Sequence, residues 1–177
     1  MYCGIDVGLK RSIAAVIDKK LVYLGDYRSI PDVKAAGIDA PLSLPKSGYL
    51  RECERKLLKM GIKLFPSGAP FFKKIALRGI EIAEELRSRS IEVFEVYPYA
   101  TRVILNIAPK ANKRTKSGCR EIEKALSRYI EVKDLNHDEL DAVIAALTVK
   151  LYYDGKAELI DCEDGAILIP KINIQRD

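Results

Sequence analysis

Several side-chain types that commonly build catalytic sites are scarce in this 177-residue chain. There is one histidine, His137, and no tryptophan, so a zinc site built from several histidines is excluded. The four cysteines are scattered and form no C-x-x-C pair, which predicts reduced thiols rather than a disulfide framework. A serine–histidine–aspartate triad would depend on His137, but the chain lacks a G-x-S-x-G turn, and it also lacks a Walker loop.

Long apolar runs are missing as well. No stretch approaches the ~20 residues that a membrane span needs, and the N-terminus runs directly into the strand-like segment YCGIDVG. We therefore expect a soluble, cytoplasmic protein. Its length fits a single domain over residues 1–177. Lysine and glutamate are abundant while glutamine is nearly absent, a bias typical of thermophiles.

The order of strand-like and helix-like segments predicts an α/β fold with a mixed sheet. Short segments rich in Ile, Val, Leu and Tyr, separated by tight turns, predict an antiparallel meander over 2–8, 12–18 and 21–27. A buried strand over 35–42 and another over 91–98 follow. Helical spacing of apolar residues predicts helices over 48–61, 69–90, 99–107, 119–130 and 138–153. The last segment, 157–172, has the pattern of a β-hairpin.

Two aspartates occupy strand segments in which a surface charge is not expected. Gly4 and Gly8 are the same-face neighbours of Asp6 and predict open space beside it. A buried carboxylate needs compensation, so Asp6 indicates a metal or phosphate site, unless it is a turn aspartate in D-x-G. Asp39 ends the strand over 35–42, where it either joins that site or fixes the loop before Ala-Pro.

Two more aspartates lie near the start of the last long helix. Asp138 and Glu139 are explained by the helix dipole, with Asn136 as the N-cap. Asp141 lies a turn further in, beside the apolar stripe predicted for this helix, and is not explained in that way. Asp138 and Asp141 share a helix face, so together they could hold one ion.

Glu95 is a further candidate because strand alternation would bury it. It either contacts a metal, directly or through a metal ligand, or forms a buried pair with an arginine. Carboxylates supply only oxygen ligands, and such sites suit Mg²⁺ or Mn²⁺.

Residues 109–120 carry a concentration of positive charge in a chain whose net charge is +5. The segment contains no acid and five cationic residues: Lys110, Lys113, Arg114, Lys116 and Arg120. This pattern predicts contacts with a nucleic-acid backbone. The alternative is an exposed loop that serves solubility.

Five motifs occur in order along nearly the whole chain: GIDVG, IDAPLSLP, RECERKLLKMG, EVYP and HDELDAVIAALT. This set resembles a domain-of-unknown-function family, DUF429, of predicted ribonuclease H-like nucleases. GIDVG and HDELDA also resemble the first strand and last helix of RuvC-type Holliday-junction resolvases. The resemblance implies a ribonuclease H-like mixed five-stranded sheet with helices on both faces, together with a C-terminal hairpin.

The resemblance also implies a metal-dependent nuclease that hydrolyses DNA or RNA with two divalent ions about 4 Å apart. Asp6 would bridge both ions, Asp39 would hold one, and Asp138 with Asp141 would hold the other. His137 would position water or substrate. The resolvases usually carry glutamate where this chain has the shorter Asp39, which changes the reach of that ligand.

Relative to a minimal nuclease, residues 41–67 form a loop-and-helix insertion. Arg51 and Arg55 on it either face substrate or belong to a solvated helix face. Two other functions stay open. One is a non-catalytic nucleic-acid or protein-binding module, and the other is an actin-like or sugar-kinase ATP-binding protein. The latter architecture needs two such domains, whereas 177 residues supply one. The expected partner is nucleic acid, and no membrane association is expected. A homodimer is compatible with the sequence.

Overall fold

The first 39 residues form most of a mixed sheet. The computed structural model describes residues 1–172. The sheet has five strands in the order β3-β2-β1-β4-β5: β1 (Tyr2–Asp6), β2 (Ile13–Ile17), β3 (Leu21–Asp26), β4 (Ala35–Asp39) and β5 (Glu92–Glu95). The β1–β2 and β2–β3 pairs are antiparallel, whereas β4 pairs in parallel with β1 and β5. The predicted meander and mixed sheet are therefore confirmed.

Helices cover both faces of the sheet, as the resemblance implied. They are α1 (Glu52–Lys59), α2 (Pro70–Ser88), α3 (Pro98–Ile104), α4 (Lys116–Leu126) and α5 (His137–Tyr153). Odd-numbered β1 residues such as Cys3 and Ile5 pack against Ile82 and Leu86 of α2. The even-numbered residues face α5, because side chains alternate along a strand. A 3₁₀ turn at Tyr27–Ser29, rather than a crossover helix, lies between β3 and β4.

Helix ends follow local chemistry. Pro70 occupies the first turn of α2, where its missing N–H costs no helical hydrogen bond. Asn136 caps α5, accepting hydrogen bonds from the backbone N–H of Asp138 and Glu139, and the Glu139 carboxylate accepts from Asn136 N in return. Helix α4 begins at Lys116 rather than at Cys119, because Thr115 caps it through Gly118 N.

The apolar stripe predicted for α5 is buried, and burial extends beyond it to the other faces of the helix. From Leu140 to Val149 every residue is buried, because α5 packs against the sheet on one side and against α3, α4 and the C-terminal hairpin elsewhere. A helix enclosed on all sides is largely apolar around its circumference, and from Leu140 to Val149 only Asp141 and Thr148 are polar. The predicted stripe of Leu140, Ile144 or Val143, Leu147 and Leu151 is therefore confirmed as buried, in a helix whose other faces are buried as well.

The C-terminal hairpin is confirmed as β6 (Ala157–Cys162) paired with β7 (Gly165–Pro170). It joins the end of β5 through a bridge between Val96 and Leu168. None of the helices within residues 1–172 combines the length and apolar character needed to cross a bilayer.

Candidate metal centre

Asp6 and Asp39 end neighbouring parallel strands and are partners in the strand register. Asp6 is the last residue of β1, the central strand, so it lies at the C-terminal end of that strand. Gly4 and Gly37 face α5. Asp6 and Asp39 each lie two residues further along the same strands, so their side chains belong to that face as well. Strand pairing alone therefore brings two carboxylates together.

Gly4 and Gly37 allow α5 to lie directly on the strands. A side-chain carbon on Gly4 would overlap the backbone of Ala142 and Ala146, and one on Gly37 would lie 3.1 Å from the carbonyl oxygen of Ala145. The prediction that Gly4 leaves open space beside Asp6 is thus wrong, since the helix backbone fills that space. Gly8 is also enclosed, by the carbonyl oxygen of Arg11.

This close approach delivers a third carboxylate. Asp141 immediately precedes Ala142 on α5 and is 4% exposed. Carboxylate oxygens of Asp6, Asp39 and Asp141 all lie within 4.8 Å of one another. Three acids from β1, β4 and α5 therefore form one cluster, which we call the acid triad.

Burial and mutual repulsion disfavour charge on the triad. Burial, followed by the charges of Asp141 and Asp138, raises the pKa of Asp6 to about 7. Burial also raises the pKa of Asp39 well above its usual range, and Asp141 and Asp6 add to the effect. The pKa of Asp141 is raised by burial even though Lys113 opposes it. A bound cation would relieve this cost.

Lys113 contacts the triad directly. Its ammonium donates a hydrogen bond to the Asp141 carboxylate. Burial disfavours its charge, but the charge of Asp141 and this hydrogen bond outweigh burial and raise the pKa of Lys113. Within residues 109–120 nothing in the sequence distinguishes Lys113 from its cationic neighbours, so this contact was not predicted.

Asp138 and His137 lie at the rim of the triad. The charge of Asp138 and a hydrogen bond with its carboxyl contribute to the raised pKa of Asp6. His137 Nδ1 lies 2.7 Å from Asp138 Oδ1, and both side chains are about half exposed. Asp138 stands outside the group of carboxylates whose oxygens are mutually within 4.8 Å among the described residues.

Glu95 and Arg51 form a buried ion pair. Arg51 donates to both carboxylate oxygens of Glu95, with N–O distances of 2.7 and 2.5 Å. Arg51 is 1% exposed and Glu95 is 7% exposed. Of the two interpretations of Glu95, the structure therefore supports the pair with an arginine. The expectation that Arg51 faces substrate is wrong, because its guanidinium is enclosed by Glu95, Glu54 and Ser43.

The remaining predicted cations are exposed on different surfaces. Arg55 lies on α1 and Lys110 precedes α4, and both are exposed. A groove of about 420 Å³ separates the start of α4 from the start of α5. The cationic residues that line it, together with the histidine, are Lys113, Arg114, Lys116, Arg120 and His137. This groove, which we call the basic groove, adjoins the triad through Lys113 and His137.

Comparisons with known proteins relate this chain to one family and to one solved fold. The solved structure of Thermus thermophilus RuvC matches with a TM-score of 0.44 and 13% sequence identity, over 86% of this chain and 95% of the RuvC chain. No curated protein sequence matches significantly. The family model described as "Protein of unknown function (DUF429)" matches residues 4–164. The chain therefore belongs to the DUF429 family.

Proposed function

We propose that this protein is a metal-dependent nuclease that hydrolyses phosphodiester bonds of DNA or RNA at the acid triad. The observation that carries the proposal is the convergence of Asp6, Asp39 and Asp141 within 4.8 Å. The raised pKa values of these three carboxyl groups mean that ionising them together costs free energy. A bound cation would offset that cost, and such clusters are typical of functional sites.

The donor set fits Mg²⁺ or Mn²⁺. All three ligands are carboxylate oxygens, which hard divalent ions prefer. Lys113 supplies one positive charge against three potential negative charges, so a divalent ion would complete the neutralisation. Asp6, Asp39 and Asp141 would hold such ions, with Asp138 as a further ligand. Bound there, divalent ions supply charge stabilisation at the phosphate and lower the pKa of water.

The chain's own residues supply the rest of the mechanism. His137 would orient water or the phosphate from the rim, since its ring nitrogen is fixed by Asp138. Arg114, Lys116 and Arg120 in the basic groove would neutralise phosphates beside the reacting bond. Arg55 and Lys110 are exposed and would add contacts further away. We assign no catalytic role to Glu95, because Arg51 already neutralises it.

A non-catalytic binding module is the second candidate, and one observation favours it. Lys113 already pairs with Asp141, so part of the triad is neutralised by the chain itself without a metal. In that case the basic groove would bind nucleic acid while the acids hold Lys113 in position.

Cleavage assays distinguish the two candidates. Wild type and the Asp6→Asn, Asp39→Asn and Asp141→Asn variants would be incubated with a panel of labelled single-stranded, duplex and branched oligonucleotides in Mn²⁺ or Mg²⁺. The control is Asp18→Asn, the same substitution at the exposed β2–β3 turn, which lies at the opposite end of the strands from the triad. We expect wild type and the control to cleave and the triad variants to lose on the order of a thousandfold in rate.

Metal binding by calorimetry supplies an independent measurement. Wild type should bind Mn²⁺, and each triad variant should bind it more weakly. Binding of oligonucleotides without cleavage by any variant, and without heat on addition of Mn²⁺, would favour the non-catalytic module.

A further inference from the structure

A second basic pocket lies at the same end of the sheet as the triad acids Asp6 and Asp39, where β1 and β4 end. It is built from the β1–β2 turn, the end of β3 and helix α2, and its volume is about 290 Å³. The charged residues lining it are the cations Lys10, Arg11, Arg28 and Arg78 and one acid, Asp26. The proposed nuclease site uses none of these residues.

A buried tyrosine positions two of the guanidinium groups. Tyr27 is 2% exposed, and its hydroxyl donates to Glu85 at 3.0 Å while accepting from Arg78 Nη2 at 3.0 Å. The guanidinium carbons of Arg28 and Arg78 lie 5.3 and 5.6 Å from the centre of its ring. Such cation–π contacts hold both side chains at the pocket before any ligand arrives.

The turn that carries Lys10 and Arg11 is closely packed. Ser12 is 3% exposed, and its hydroxyl accepts a hydrogen bond from the backbone N–H of Gly8 at 3.3 Å. A side chain on Gly8 would overlap the carbonyl oxygen of Arg11. The backbone below these two cations is therefore fixed by local contacts.

Strand register relates the end of β3, which forms one wall of this pocket, to Asp6 of the triad. Asp6 is the partner of Ile13, and Ile13 is the partner of Asp26. The end of β3 is thus two strands from Asp6, or about 10 Å at the usual strand spacing. The grooves of B-form DNA are about 6 and 12 Å wide. A spacing of about 10 Å between two protein sites is therefore similar to the distance between the two DNA backbones across a groove.

We propose that Lys10, Arg11, Arg28 and Arg78 bind a backbone phosphate of the nucleic acid whose cleavage occurs at the triad, since the end of β3 lies two strands from Asp6 at the same end of the sheet. The proposal rests on the proposed function. Three of the four cations are arginines, whose planar donors match phosphate oxygens in pairs.

The test measures binding without cleavage. Arg11→Ala/Arg28→Ala would be made in an Asp6→Asn background and titrated with labelled oligonucleotides, without divalent ions, across a salt series. Both side chains are exposed, and Arg78 is left in place because it belongs to the Tyr27 network. The matched control is Lys19→Ala/Lys20→Ala in the same background, which removes two exposed charges at the β2–β3 turn, at the other end of β2.

Loss of this one phosphate contact should flatten the slope of log K against log salt by about 0.9 and weaken binding roughly eightfold at ~0.1 M salt. The control should leave the slope nearly unchanged. An unchanged slope in Arg11→Ala/Arg28→Ala, or an equal change in the control, would overturn the pocket. Cleavage by wild type alongside that result would leave the nuclease proposal standing, whereas failure of wild type to bind any oligonucleotide would overturn both.

Inorganic phosphate distinguishes the source of the ligand. If phosphate at millimolar concentration stabilises the parent protein but not Arg11→Ala/Arg28→Ala, while oligonucleotide binding is equal, the pocket takes free phosphate and its assignment to a nucleic-acid backbone is wrong. If oligonucleotide binding weakens as expected and phosphate competes only weakly, the assignment is supported.

Discussion

Gly4 of strand β1 lies directly beneath the carbonyl oxygen of Ala142 on α5, with no room for a side chain between them. Asp141 is the residue before Ala142, so this contact sets how far Asp141 reaches toward Asp6 and Asp39. The position of the third acid is thus controlled by a glycine in a different element.

We expect Gly4→Ala to be destabilising and to impair metal binding. The added methyl must push α5 away from the sheet, and overpacking of this kind costs about 1–3 kcal/mol or more. Moving α5 also separates Asp141 from its partners. Urea unfolding and Mn²⁺ calorimetry would measure both effects.

The control for this substitution is Gly61→Ala. Gly61 has a φ of 80° but open space around it, so the variant costs about 1 kcal/mol through backbone strain alone. It should keep its affinity for Mn²⁺. Equal metal affinities in wild type and Gly4→Ala would contradict the role given to this glycine.

The stability of the metal-free protein should fall as pH rises from about 4 to 7. The pKa of Asp6 rises from its ordinary value of 3.8 to about 7 in the folded protein, so over this range the unfolded chain releases a proton that the folded chain keeps. The slope from Asp6 is at most about 1.4 kcal/mol per pH unit. Asp6→Asn should flatten the decline and be at least as stable as wild type near pH 7.

Thermal unfolding in a chelator at several pH values checks this prediction. A structural Asp6, paired or capping a turn, predicts the opposite result, a destabilised Asn variant near neutral pH. Asp18→Asn should follow the wild-type profile, because Asp18 is exposed at a distant turn.

Lys113→Met is expected to bind divalent ions more tightly than wild type. The ammonium of Lys113 lies against Asp141 and competes with a metal for the same negative charge. Its removal should tighten Mn²⁺ binding at least tenfold and lower metal-free stability by about 1–3 kcal/mol.

Lys110→Met is the matched control for Lys113→Met, because it removes an exposed lysine from the same segment. Calorimetry and melting should show wild-type values for it. Weaker Mn²⁺ binding in Lys113→Met would mean instead that the lysine organises the triad for the metal.

Arg51→Met and Arg55→Met should differ sharply in stability although the residues are four positions apart. Arg51→Met leaves Glu95 buried and unpaired, which costs about 3–5 kcal/mol. Arg55 is exposed on α1, so its loss should change stability by less than about 0.5 kcal/mol. Chemical denaturation measures both, and similar values would contradict the burial of Arg51.

Several features of this protein were predictable from local sequence. Strand segments in 2–42, the Asn136 cap, Pro70 in the first turn of α2 and the final hairpin all depend on short-range chemistry, and the structure contains them. Asp6, Asp39 and Asp141 were identifiable because charged residues on apolar strand and helix segments require compensation.

Other features depend on contacts between distant residues. Arg51 and Arg55 lie four positions apart on one short segment, and only packing against Glu95 across 44 positions makes one buried and leaves the other exposed. Likewise, nothing within residues 109–120 singles out Lys113 as the partner of Asp141.

The sequence by itself determined which residues are acidic, which segments form strands and helices, and that two strand segments carry aspartate. Tertiary structure decided that β1 and β4 pair in register at Asp6 and Asp39, and that α5 lies on Gly4 closely enough to add Asp141. The physical reason is range: propensity, alternation and capping act over a few residues. Side-chain burial and charge pairing depend instead on which elements the completed fold brings within a few ångströms.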